Sequence, residues 1–277
     1  MQHNVIKPFG SSRPRCRALA GAHPGCSSRG ALVVVAYQKL QKRLKYSGVR
    51  KRDSPEVFTV SPDGSDAWRL DAVVDILKAG GVGVIPTDTL PAIVCDLHNK
   101  DAVLRLYSVK EMDAKKPLSM LCPNLSTITQ YTTGFPASNT PGSPNWFNTV
   151  RRLVPGPYTF VLPATKNLPS QCIDFMSGKN IHRKSVGVRL PADPVCQAIL
   201  DGMAGPLLCT SVHVPEVLSP DTEVPDVGSI LEAYGSKGLD FVVDVGRRVV
   251  VESSVVDFTG GDPLVLRHGA GDVSAFE

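Results

Sequence analysis

Hydroxyl and basic side chains are gathered between residues 80 and 117. An apolar run stops at Pro86-Thr87-Asp88-Thr89, and Lys110, Lys115 and Lys116 follow. Such groups suit a polyanion, because hydrogen bonds from charged donors to phosphate or carboxylate oxygens are stronger than neutral ones. If the apolar run is a strand, the threonines stand at its end, where open α/β sheets leave crevices for ligands. The plainer reading makes Thr87 and Thr89 turn residues after a strand and Lys115 a solvated charge.

Several familiar chemistries are excluded. The chain has no Gly-x-x-x-x-Gly-Lys-Ser/Thr loop, and Gly81-Val82-Gly83 precedes a strand instead of following one, so neither standard nucleotide fingerprint applies. Gly-x-Ser-x-Gly is absent, which argues against a hydrolase triad. His182, His213 and His268 stand too far apart for metal-ligand spacing and read as hydrogen-bonding residues. Seven cysteines without a Cys-x-x-Cys pair suggest reduced thiols, with Cys95, Cys122 and Cys209 as small core residues.

Further segments complete a pattern: Lys116-Pro117-Leu118, Pro155-Gly156-Pro157-Tyr158-Thr159-Phe160, Val186-Gly187-Val188-Arg189-Leu190-Pro191, Thr210-Ser211, Glu252-Ser253-Ser254-Val255-Val256-Asp257 and Leu266-Arg267-His268-Gly269. In this order and at these separations, over residues 57–270, the chain resembles the YrdC family of threonylcarbamoyl-adenylate synthases. The resemblance implies a single α/β domain whose twisted open sheet, mixed parallel and antiparallel, carries flanking helices and a concave ligand groove. It also implies condensation of L-threonine, bicarbonate and ATP to threonylcarbamoyl-adenylate and pyrophosphate, for the N6-threonylcarbamoyl modification of adenosine 37 in tRNA. Cations are needed there because a carbamate anion must approach a negative α-phosphate.

By the same resemblance Lys110 neutralises carbamate and phosphate, and Thr89 and Ser254 hold threonine. Lys116, Thr159, Ser211 and Arg267 face ATP, and Mg²⁺ accompanies its phosphates. Arg189 is a further candidate for anion contact. The same residues have structural readings: Arg189 as a strand residue paired to an acid, Ser253 and Ser254 as makers of cross-strand hydrogen bonds.

Departures accompany the match. The family's Lys-x-Arg stands here as Lys110-Glu111-Met112, its Ser-x-Asn as Ser211-Val212-His213, and its glycine-flanked tyrosine gives way to Leu90-Pro91-Ala92. With the Thr-Ser ending and the Gly-Ala-Gly-Asp-Val tail, these make the chain resemble the YciO-type branch. Two alternatives to a full synthase follow: a paralogue that binds or hydrolyses a nucleotide or acyl-adenylate, and a protein that uses the groove for double-stranded RNA or tRNA. A downstream tRNA-modifying transferase would consume the adenylate.

The positioning elements are legible from periodicity. Leu70, Val73, Val74 and Leu77 fall at helical spacing, with Ser65 as N-cap and Gly80-Gly81 as stop. Residues 82–86 read as a strand, Asn99 caps a helix that delivers Lys110 at its exit, and 118–122 reads as the next strand. That unit predicts a parallel pair with a right-handed crossover. Residues 132–145 read as a loop and 146–154 as a helix. Strands are expected at 158–162, 185–190, 207–211, 241–245, 254–258 and 264–267, with helices at 194–201 and 230–234.

The chain has 277 residues and a formal charge of +4, but the balance is uneven. Residues 1–53 carry twelve Lys and Arg against one acid, Asp53, which leaves 18 bases and 25 acids beyond. An acidic body gives no general footprint for nucleic acid, so any anion site must be local. The division expected is a basic presequence over 1–53 and one domain over 54–277. Its Ser and Arg content, with Arg13, Arg15, Arg17 and Arg29, is that of an organellar transit peptide, and the Val-Val-Val-Ala run at 33–36 favours plastid over mitochondrion. A basic tail binding RNA or an acidic partner is the alternative. No run is long enough to span a bilayer.

Overall fold

The computed structural model describes residues 54–113, 116–136, 145–169, 185–213, 225–248 and 251–277. The expectations for residues 1–53, Lys115, Cys172 and His182 lie outside them. Ten strands, β1 (Glu56–Thr59), β2 (Gly83–Ile85), β3 (Ala92–Asp96), β4 (Ser119–Leu121), β5 (Tyr158–Pro163), β6 (Ser185–Arg189), β7 (Leu207–Ser211), β8 (Phe241–Asp244), β9 (Ser254–Asp257) and β10 (Leu264–Arg267), form one sheet. Its order is β1-β8-β2-β3-β7-β4-β6-β5-β9-β10. The helices are α1 (Asp71–Lys78), α2 (Lys100–Lys110), α3 (Leu125–Tyr131), α4 (Trp146–Leu153), α5 (Pro194–Met203) and α6 (Val227–Tyr234).

The sheet is mixed: β1, β8 and β2 run parallel, as do the pairs β4·β6 and β5·β9, and the remaining neighbours are antiparallel. This corrects the parallel pair expected from the two strands around residues 84 and 120. The run Ala92–Asp96 is itself a strand, antiparallel to β2, and β7 then lies between β3 and β4. Ser65 is likewise not the cap of α1. A 3₁₀ turn, Ala67–Leu70, precedes that helix, and Asp66 spends Oδ1 on the Ser61 amide.

Strand alternation splits the core between the two faces. On one face Val84, Ile93, Met120, Phe160, Val188, Leu208 and Val256 pack beneath α2, α3, α4 and α6. On the other, Ile85, Ala92, Val94, Leu207, Phe241 and Val243 pack beneath α1 and α5. The second face stays open over β4, β5, β6 and β9, where Thr159, Val161, Gly187 and Arg189 point outward between the core residues.

One close contact ties α2 to the sheet and another joins two of its strands. Arg105 of α2 is buried and donates to the carbonyls of Gly80 and Gly238, at 3.1 and 2.9 Å, and to Asp240 Oδ2 at 2.6 Å. The same carboxylate oxygen accepts the Val82 amide at 2.7 Å. Gly83 stands opposite Phe241, and a Cβ there would run into the phenyl ring. Gly83→Ala is therefore expected to cost about 1–3 kcal/mol through overpacking. Urea unfolding should show a lower midpoint at unchanged slope, whereas an unmoved midpoint would mean that the ring has room to yield.

Candidate functional site

The open face holds a cleft of about 330 Å³. Its basic residues are Lys116, Arg189 and Arg267, with the His213 imidazole beside them; its hydroxyls come from Ser119, Thr159, Ser185, Thr210, Ser211 and Ser253. No acidic residue lines it among the described residues. A concave site with that charge raises the local concentration of anions even on an acidic protein.

One wall is a chain of hydrogen bonds. Thr159 Oγ1 and Ser253 Oγ lie 2.8 Å apart, Arg267 Nη2 donates to that serine at 3.1 Å, and Arg267 Nη1 pairs with Glu252 Oε2 at 2.7 Å. On the cleft floor Gly187 brings the β6 backbone close, since a Cβ there would sit 3.0 Å from Ser119 Oγ. Cys209 also lines the cleft, but burial raises its thiol to about 11, which leaves it unreactive at neutral pH.

Arg189 realises its structural reading. Its Nη2 donates to Asp88 Oδ1 at 2.8 Å and to Thr89 Oγ1 at 2.7 Å, so the strand residue is paired to an acid. Its Nε is nevertheless the one buried side-chain nitrogen or oxygen without a partner among the described residues. A buried donor left unpaired costs free energy.

Lys110 and Thr89 border the cleft without lining it. Lys110, the last residue of α2, donates from Nζ to the Ser211 carbonyl at 2.8 Å and to Tyr234 Oη at 3.2 Å. Burial, then the charges of Lys116 and Lys237, brings its ammonium down to about 8 from the ordinary 10.5. Burial and next the Lys110 charge lower the His213 imidazole below its ordinary value, which favours the neutral ring. Thr89 lines a second cavity, of about 290 Å³, at the carboxyl ends of β2 and β8. Val84, Pro86, Pro91 and Val243 make its walls largely apolar. The Thr89–Arg189 hydrogen bond joins the two sites.

Of the residues singled out in the sequence, Lys116, Thr159, Arg189, Ser211 and Arg267 thus converge on one cleft, and Lys110 and Thr89 touch it through direct partners. Ser254 does not, which corrects its expected place in a threonine pocket. It is fully buried on the core side of β9, donating to the Gly271 carbonyl and accepting the Gly269 amide. Ser253 faces the cleft instead. The signal was in the alternation, because Ser254 shares parity with Val256 and Phe258, both core residues. Sequence reasoning also passed over Tyr234 and Lys237, whose contacts with α2 arise only in the folded chain.

The departures have physical counterparts. Met112 packs against the helical core, so no forked donor stands at the position of the family's arginine. Glu111, which ends α2 in the left-handed region at φ 51°, is neutralised by Lys237 at 2.8 Å. Among the described residues no cluster of His, Cys, Asp or Glu could hold a metal, and no helix is long and apolar enough to cross a membrane.

The family model described as telomere recombination, covering Sua5, YciO and YrdC proteins, matches residues 75–269. The chain is 28% identical over 221 residues to the uncharacterised protein YciO of Escherichia coli strain K12, spanning 80% of this chain and 98% of that one. It is 30% identical over 166 residues to a threonylcarbamoyl-AMP synthase of Halorhodospira halophila, spanning 60% of this chain and 79% of that one. Among solved structures, E. coli YciO superposes with a TM-score of 0.67 at 29% identity, over 80% of this chain and all of that one. Sua5 of P. abyssi in complex with L-threonine shares the fold, with a TM-score of 0.60 at 22% identity, over 77% of this chain and 57% of that one.

Proposed function

The chain belongs to the Sua5, YciO and YrdC family, and on that premise we propose that it forms threonylcarbamoyl-adenylate from L-threonine, bicarbonate and ATP. The observation that carries this reading is the convergence of Lys116, Arg189 and Arg267 with Thr159 and Ser211 on one cleft that no acidic residue lines among the described residues. The threonine amine attacks bicarbonate, losing water to leave a carbamate. A carbamate oxygen then displaces pyrophosphate from the α-phosphate of ATP. Both anions are negative before they react, so the step depends on cations placed where charge gathers.

In this reading Lys116, Arg189 and Arg267 hold the triphosphate, with Thr159 and Ser211 as neutral donors. The second cavity, against Thr89, takes the amino acid beside the nucleotide. Lys110, held on the carbonyl of the cleft residue Ser211, meets the carbamate and the α-phosphate. A donor set of hydroxyls and cations suits phosphate oxygens better than a bare divalent ion, so Mg²⁺ enters as part of the ATP substrate. The segment 1–53 serves as a plastid-targeting presequence ahead of the enzyme domain, and the product passes to a tRNA-modifying transferase.

Met112 and His213 favour a second reading, in which the cleft binds or hydrolyses an adenylate that it makes poorly. Pyrophosphate release dependent on both threonine and bicarbonate separates the two. Met112→Arg with His213→Asn is expected to raise that release by about ten- to hundredfold, the worth of a charge-assisted hydrogen bond. Absence of release from the wild type and the double variant alike would end the synthase reading. RNA use of the groove would survive removal of residues 1–53 and weaken steeply with salt.

A further inference from the structure

Tyr234 belongs to none of the motif segments, yet it holds two of them together. Its hydroxyl accepts a hydrogen bond from Lys110 Nζ at 3.2 Å and donates to the His213 carbonyl at 2.7 Å. Lys110 and Lys237 each place their nitrogen 5.4 Å from the ring centroid. Lys237 has Glu111 as its counter-ion, whereas no carboxylate of the described residues lies within ion-pair distance of Lys110. The ammonium is therefore held by two neutral oxygens.

We propose that Tyr234 is a positioning residue for Lys110. Its hydroxyl, anchored on the His213 carbonyl, sets the direction of the ammonium. The helix α6 thereby supplies from outside the motifs a support that links the end of α2 to the exit of β7. This rests on the role given above to Lys110. The charged and titratable groups that face that lysine are Lys116 after α2, Lys237 and Tyr234 at the end of α6, and His213 after β7.

The sign of the effect follows from the donor. The phenol oxygen accepts from the charged amine, so removing it disfavours the ammonium and lowers a titration that already lies at about 8. In Tyr234→Phe the ring remains and only the hydroxyl is lost. The full chain carrying isotope-labelled lysine, followed by the Cε shift of Lys110 against pH, is expected to show a midpoint about one unit lower, the equivalent of one hydrogen bond. Pyrophosphate release at pH 8 should fall about fivefold through kcat at nearly unchanged KM for ATP, and recover as the pH is lowered. A midpoint that stays in place in a folded Tyr234→Phe protein would overturn the assignment. A shifted midpoint where neither the wild type nor the Met112→Arg, His213→Asn variant releases pyrophosphate would uphold the assignment and overturn only the synthase reading.

Discussion

Lys110→Met is expected to lower threonine-dependent pyrophosphate release by about two to three orders of magnitude, the usual effect of removing one donor aimed at developing negative charge. Methionine keeps the aliphatic stem and removes only the ammonium. Two hydrogen bonds go with it, to the Ser211 carbonyl and the Tyr234 hydroxyl. The fold should survive, and linkage explains why. The ammonium titrates at about 8 in the native protein against 10.5 for the free side chain. Below pH 8 both states are charged and the native one carries the whole penalty of desolvating the ammonium. As the pH rises from 8 toward 10.5 that penalty is relieved. The variant never bears it, so at pH 7 its gain opposes the lost hydrogen bonds. Melting curves at pH 7 and pH 10, beside the release assay, check both halves. Undiminished release would remove Lys110 from the chemistry, and an unfolded variant would make it a structural residue.

Asp240→Ala is expected to destabilise the protein by about 3–5 kcal/mol, the cost of leaving one member of a buried ion pair alone. Arg105 and Asp240 are both nearly inaccessible, at 10% and 4% side-chain exposure, so solvent does little to screen the orphaned guanidinium. The alanine also strips the Val82 amide of its carboxylate partner. Replacing both ions, as Arg105→Met with Asp240→Leu, should recover part of the loss, because no charge then stays buried unpaired. It should not recover all, since the carbonyls of Gly80 and Gly238 lose their donor. Urea unfolding of the single and double variants reads the difference. A cost below about 1 kcal/mol for Asp240→Ala would mean that water reaches the pair.

The parts of the fold that were legible in the sequence are those specified locally. Asn99 was read as a helix cap, and it accepts the amides of Asp101 and Ala102. The bounds 207–211 and 264–267 match β7 and β10, both set off by Gly or Pro. What escaped was decided elsewhere in the chain. Glu56–Thr59 is a short, mostly exposed edge strand with no alternation to betray it, and it forms because β8 offers it a parallel partner. Ala92–Asp96 follows a proline, and its place inside the sheet is decided by β7, which pairs with it from more than a hundred residues later. Leu125–Tyr131 buries only Ile128 and Tyr131, too few to make a period, and is marked mainly by the Asn124 cap.

The candidate site divides the same way. Lys116, Thr159, Arg189, Ser211 and Arg267 were found because their segments carry a recognisable order, and the sheet brings them together. Ser253 was displaced by its neighbour because two adjacent serines beside two adjacent valines leave the parity of β9 ambiguous until Phe258 is counted. Tyr234 could not be found, since its link to Lys110 crosses 124 positions and depends on how α6 lies over the sheet.

The cleft takes side chains from Lys116 through Arg267, in strands whose spatial order bears little relation to their order of synthesis. During translation, β4 and β6 emerge before β7, β9 and β10, so an unfinished polypeptide exposes the floor of the cavity without its far wall. The cleft lacks that wall until Arg267 is in place. A nascent chain on the ribosome therefore lacks part of the cleft for nearly the whole of its elongation, and completing the sheet also completes the cavity.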